Sequence, residues 1–219
     1  MTSTHDLIEV LVREASPVRR LASPVPRTLG WLGLAGVVIG GTIAVDGLCP
    51  NLAARLADPL YAASLAAAGV TGALAAMGAF LVSLPDRSRL WAWLPLPSGL
   101  AWTGLIAAEC LTRPAATAAG LSGMDGTLHC ATVFLIVSAL LAVLLFQMLR
   151  PGPLAHGRRT GWLAGVAVGG LATVGFSLTR TFEAPSLLLA WNLGAGVLTS
   201  LLLTALWRCA VPGYRVAGP

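Results

Sequence analysis

Residues 128–149 read LHCATVFLIVSALLAVLLFQML, an apolar run without a charged side chain, closed by Arg150. At about 1.5 Å per residue such a run makes a helix that can cross a hydrocarbon core about 30 Å thick. The same pattern repeats on either side, at 29–48, 60–84, 90–111, 161–179 and 185–207, with short polar connections between. Only 11% of the 219 residues are charged and mean hydropathy is +0.80, whereas a soluble domain carries about a quarter of its residues as charges. These figures exclude a soluble enzyme, a doubly wound nucleotide-binding fold, a disulfide-rich secreted module and a disordered tail. The expected fold class is all-α and integral to the membrane, with six transmembrane helices. All 14 basic residues are arginines and 9 residues are acidic; the missing lysine reads as coding bias.

Arginine placement sets the expected orientation, because loops left in the cytoplasm keep basic residues. One side collects Arg13, Arg19, Arg20, Arg27, Arg87, Arg89, Arg150, Arg158, Arg159, Arg208 and Arg215; the other holds Arg55, Arg113 and Arg180. Both termini are therefore expected in the cytoplasm. Trp31, Trp91, Trp93, Trp162 and Trp207 fall near the inner ends of the stretches, where indole rings favour the interface. The first stretch has too long an apolar run, and no small-residue cleavage site after it, to read as a signal peptide. The expected domains are a cytoplasmic amphipathic tail at 1–28, a membrane domain at 29–208 and a cytoplasmic tail at 209–219. Bacterial inner membrane is the expected location.

Within the bilayer, Gly36 with Gly40, Gly165 with Gly169, and Ala68, Gly72 and Ala76 stand at four-residue spacing, which allows close helix approach. In a glycine-rich chain such spacings also arise by chance. Pro95 and Pro97 should kink or break the start of the third stretch, since each lacks an amide donor.

Chemistry is sparse. Transporters and proton pumps need ionisable groups at membrane depth, yet Asp46, Glu109, Asp125 and Glu183 map to outer ends or loops. There is no phosphate loop, nucleophile elbow or paired-histidine motif, so no enzyme, cofactor or bound metal is expected. Cys49, Cys110 and Cys130 fall at outer ends and Cys209 at the inner side. Cys110, beside Glu109, and Cys130, beside His129 and near Asp125, end and begin consecutive helices separated by 19 residues. A disulfide closing that loop would be worth about 3 kcal/mol if the α-carbons came within about 7 Å. A site for a thiol-seeking metal is a second reading, and two small apolar residues at helix ends a third.

The opening residues pattern as a short helix. Ser3 and Asp6 have the acidic form of capping-box spacing, Leu7, Ile8, Leu11 and Val12 make an apolar stripe, and Pro17 ends it. Such a helix can dock on its own bundle, lie on lipid or present its stripe to a partner protein.

At this tail the chain begins to resemble a known family. Asp6-Leu7-Ile8, Pro17-Val18-Arg19-Arg20-Leu21, Pro26-Arg27 and Trp31-Leu32 are similar to the opening of the NrsF-like anti-sigma factors. Asp58-Pro59, Ser83-Leu84-Pro85-Asp86-Arg87-Ser88-Arg89, Trp93-Leu94-Pro95-Leu96-Pro97, Glu109-Cys110-Leu111, Gly123-Met124-Asp125 ahead of Cys130, and Trp191 follow in the same order. The resemblance implies a regulator that holds an extracytoplasmic-function sigma factor at the membrane until oxidative or metal stress releases it. It implies sigma contacts at Asp6, Leu7, Ile8, Leu11, Pro17, Arg19 and Arg20, and an outer sensor at Cys110 and Cys130 with Glu109, Asp125 and His129. The implied partners are that sigma factor and the bilayer, with no direct contact with nucleic acid. Family members often carry a cysteine in the last outer loop, where this chain reads Arg180-Thr181-Phe182-Glu183. A small transporter or channel, and a membrane thiol-redox protein, are the competing readings.

Overall fold

The computed structural model describes residues 23–84, 88–112, 124–149 and 157–179, with Glu9, Gly194, Leu201 and Ala205 as single helical positions. Every regular element among them is helical: α1 Pro24–Asp46, α2 Leu52–Leu56, α3 Pro59–Val82, a 3-10 turn Arg89–Trp93, α4 Leu96–Thr112, α5 Met124–Leu149 and α6 Gly157–Thr179. Four segments are long and apolar enough to cross a membrane: Pro24–Asp46, Pro59–Val82, Thr132–Leu149 and Arg159–Thr179. They correspond to the first, second, fourth and fifth predicted stretches. The sixth, 185–207, lies outside the described residues apart from Gly194, Leu201 and Ala205, all exposed.

Local chemistry sets the helix starts. Pro24 opens α1 and Pro59 opens α3, in first-turn positions where a missing amide removes no helical hydrogen bond. Asp58 caps α3, its carboxylate accepting from the Leu60 amide at 3.1 Å. Gly47 ends α1 at φ +80°, a left-handed conformation that glycine adopts without strain.

The third predicted stretch is divided. Residues 89–93 wind as a 3-10 turn, Leu94 and Pro95 form a turn, and the α-helix begins at Leu96. The Pro95 carbonyl accepts from the Gly99 amide at 2.8 Å, which starts the new ladder. The sequence expectation of a proline break in this stretch is thus met, and α4 is left only about 25 Å long. Both pieces run back along α3. A Cβ at Gly78 would stand 3.2 Å from the Trp91 carbonyl, and one at Gly99 would stand 3.6 Å from Thr71 Cγ2.

The core joins α1, α3, α5 and α6 through Trp31, Ala75, Phe80, Phe134, Leu141, Leu145, Val168 and Phe176 among others. Among the described helices α3 and α6 pack most extensively. Their closest approach is backbone against backbone, for a Cβ at Gly170 would lie 2.8 Å from the Ala68 carbonyl and 3.0 Å from Gly72 Cα. The run Ala68, Gly72, Ala76 therefore marks a true helix contact. Its partner is Gly170, one residue beyond the spaced pair Gly165 and Gly169.

Gly36 and Gly40 behave differently: among the described residues nothing lies within 4 Å of a Cβ built on either. Spacing alone marks no contact there. Trp31 also departs from expectation, since it is fully buried in the bundle and its indole N–H donates to the Leu141 carbonyl at 3.3 Å. Trp91, Trp93 and Trp162 are exposed, as interfacial side chains would be. Two buried hydroxyls are satisfied within their own helices, Thr71 on the Ala67 carbonyl and Thr173 on the Gly169 carbonyl. Ser138 Oγ is buried without a hydrogen-bond partner.

Candidate functional site

Contacts between helix ends divide the described bundle into two poles. At one, the starts of α1 and α6 meet the ends of α3 and α5; at the other, the end of α1 and the start of α3 meet the end of α6. Arg27 and Cys49 identify them.

At the Arg27 pole, Arg27 reaches across two helix ends. Its Nη2 donates to the Met148 carbonyl in the last turn of α5. Its guanidinium carbon lies 4.8 Å from the centre of the Phe80 ring, a fully buried side chain near the end of α3. A cation is favoured at both places, by the partial negative charge of a helix C-terminus and by the ring face. One turn on, Trp31 adds its bond to the Leu141 carbonyl. Only Thr28, Trp31 and Ala35 are buried in α1, all in its first half. The fixed part of α1 thus adjoins residues 1–22.

At the Cys49 pole, the Cys49 amide donates to the Leu178 carbonyl at 3.0 Å and Tyr61 Oη donates to the Ser177 carbonyl at 3.1 Å. Both bonds supply donors to carbonyls in the last described turn of α6. Arg55 stacks over the Tyr61 ring at 5.1 Å, and Cys49 is a buried free thiol.

The residues expected to form functional sites are placed as follows. Asp6, Leu7, Ile8, Leu11, Pro17, Arg19 and Arg20 lie outside the described residues, where Glu9 alone is described, helical and exposed. Glu109 lies in the last turn of α4, at a helix end as the sequence leads one to expect, and is buried there at 6% exposure. Cys110 shares that turn, and Asp125, His129 and Cys130 fall in the first two turns of α5, but their side chains lie outside the described residues. Among the described residues no three His, Cys, Asp or Glu side chains gather as a metal site would require. The arrangement at the two poles holds helices in register by hydrogen bonds and stacked cations.

Sequence reasoning missed Arg27 and Tyr61 as contacts. Arg27 counted there as a topology arginine, although it stands four residues before Trp31 and eight before Ala35, on the stripe that α1 buries. Tyr61 had no comparable signal, because its partner is a backbone carbonyl more than 100 positions away.

A family model described as negative regulator of sigma F matches residues 11–211. No curated protein and no solved structure matches the chain.

Proposed function

The chain belongs to the NrsF family of negative regulators of sigma F, and from that premise we propose that it is a membrane-embedded anti-sigma factor for an extracytoplasmic-function sigma factor. The observation that carries this reading is the extent of the match. It begins within the amphipathic tail and runs through all four membrane-length helices, so regulator and membrane domain belong to one unit.

In this reading the Arg27 pole faces the cytoplasm of a bacterial inner membrane, and the tail, residues 1–28, grips the sigma factor there. Asp6, Leu7, Ile8, Leu11, Pro17, Arg19 and Arg20 supply the contacts. An oxidative or metal signal acts at the opposite pole through Cys110 and Cys130, with Glu109, Asp125 and His129 around them. Sigma binds one arrangement of the cytoplasmic face, the signal favours another, and the ratio of the two affinities sets the response. Six crossings with both termini inside complete the picture, the sixth supplied by 185–207.

Purification of the full chain in detergent from its native host tests the reading. A sigma factor should come with the intact protein and be lost when residues 2–20 are deleted, with the deleted protein still in the membrane. Equal recovery from the two forms would remove the tail from the mechanism, and recovery of no sigma factor from either would remove the function.

A further inference from the structure

An arginine in the first turn of a membrane helix ordinarily extends along the apolar surface and leaves its charge in the headgroup region. Arg27 does the reverse. Its guanidinium turns into the bundle, onto the Met148 carbonyl and the face of the fully buried Phe80 ring. It thereby joins the start of α1 to the ends of α3 and α5.

The rest of α1 is held lightly. Only three of its 23 residues are buried, against eleven of the 24 in α3. Beyond Ala35 no residue of α1 is buried, although Ile39 lies against Gly175 of α6. At its far end the chain is tied by the bond from Cys49 to Leu178. Between these points α1 is a rod about 35 Å long, pinned near both ends, with the tail attached directly ahead of its arginine pin.

We propose that Arg27 is a latch: it registers α1, and with it the tail, against the ends of α3 and α5, and its disengagement carries a change at the Cys49 pole to the sigma-binding face. This deepens the anti-sigma reading and rests on it. Sliding or turning α1 moves Arg27 off a ring face and a carbonyl that are fixed in the core. The element therefore has two discrete states, latched and unlatched, and a signal that prefers one of them shifts the tail. Arg27 acts through the tail and is a positioning residue.

The test uses the full chain, the sigma factor recovered with it and a reporter promoter of that sigma factor. Arg27→Gln removes the cation and should raise reporter output at least about fivefold, the low end of typical coupling between sites, at unchanged abundance in the membrane. Arg27→Lys keeps the charge but loses the planar stacking group and should fall between Arg27→Gln and the natural chain. Leu29→Ala, at a position 63% exposed, should leave the reporter unchanged.

Repression by Arg27→Gln equal to that of the natural chain at equal abundance would overturn the latch, as would a Leu29→Ala effect of the same size. If Arg27→Gln fails to accumulate, Phe80→Leu decides by the same readout. It removes the ring face while keeping an apolar side chain, and full repression by that variant also overturns the latch. Removing the whole chain from the host is the separate arm: if the reporter then stays silent, the anti-sigma reading itself fails, whatever Arg27 does.

Discussion

A single methyl group separates two kinds of glycine in this bundle. At Gly170 an added Cβ would stand 2.8 Å from the Ala68 carbonyl and 3.0 Å from Gly72 N and Cα, and backbone cannot step aside as a flexible side chain can. Gly170→Ala must push α3 and α6 apart, at a cost of about 1–3 kcal/mol. At Gly36 no described residue stands within 4 Å of an added Cβ, so Gly36→Ala should instead recover about 0.5–1 kcal/mol of helix propensity. Thermal unfolding of both variants in the same detergent reads the opposite signs, and a Gly170→Ala protein that melts at or above the natural chain would contradict the close approach. Sequence spacing could not make this distinction. Gly36 with Gly40 and Ala68 with Gly72 repeat small residues at the same interval, and what separates them is which helix arrives on that face. Arg27 illustrates the same limit: as a residue type near a membrane boundary it signals topology, and only its neighbours Phe80 and Met148 make it a contact.

At the scale of elements, hydropathy was a sufficient guide to α1, α3, α5 and α6, because length and apolarity alone place a helix in the hydrocarbon layer. The expected starts and ends differ from the observed ones by a few residues, mainly where Pro24 and Pro59 open a helix earlier than the apolar run begins or where polar residues extend it. The divided third stretch was legible too, since prolines at 95 and 97 forbid a continuous ladder. Their two positions are nevertheless unequal. Pro97 is the second residue of α4, where no amide has a helical acceptor, so Pro97→Ala should shift stability by less than about 1 kcal/mol. Leu100→Pro, at an exposed position one turn further on, removes a formed hydrogen bond and clashes with the preceding turn, costing about 3 kcal/mol. Unfolding in detergent compares the pair. Equal losses would mean that α4 does not begin at Leu96.

For the whole molecule the deciding question is which pole faces the cytoplasm. The sequence count puts eleven arginines on one side and three on the other, and three of them have side chains among the described residues. Arg27 and Arg159 open α1 and α6 at one pole, while Arg55 lies beside Tyr61 at the other. Basic residues are retained in the cytoplasm with a bias strong enough to set overall orientation, so the Arg27 pole is expected inside. With that orientation, antiparallel succession leads one to expect 47–58 and 113–123 outside, and 150–156 inside with the first residues of the chain. A reporter active only in the cytoplasm should therefore report when fused ahead of Leu7 or inserted at 153, and be silent when inserted at 117; a reporter active only outside should show the reverse. An outer signal for the fusion ahead of Leu7 would put the tail where no sigma factor exists, and both the anti-sigma reading and the latch that depends on it would fall together. Concordant signals at all three sites would place the tail, and Arg27 behind it, on the side where transcription proteins reside.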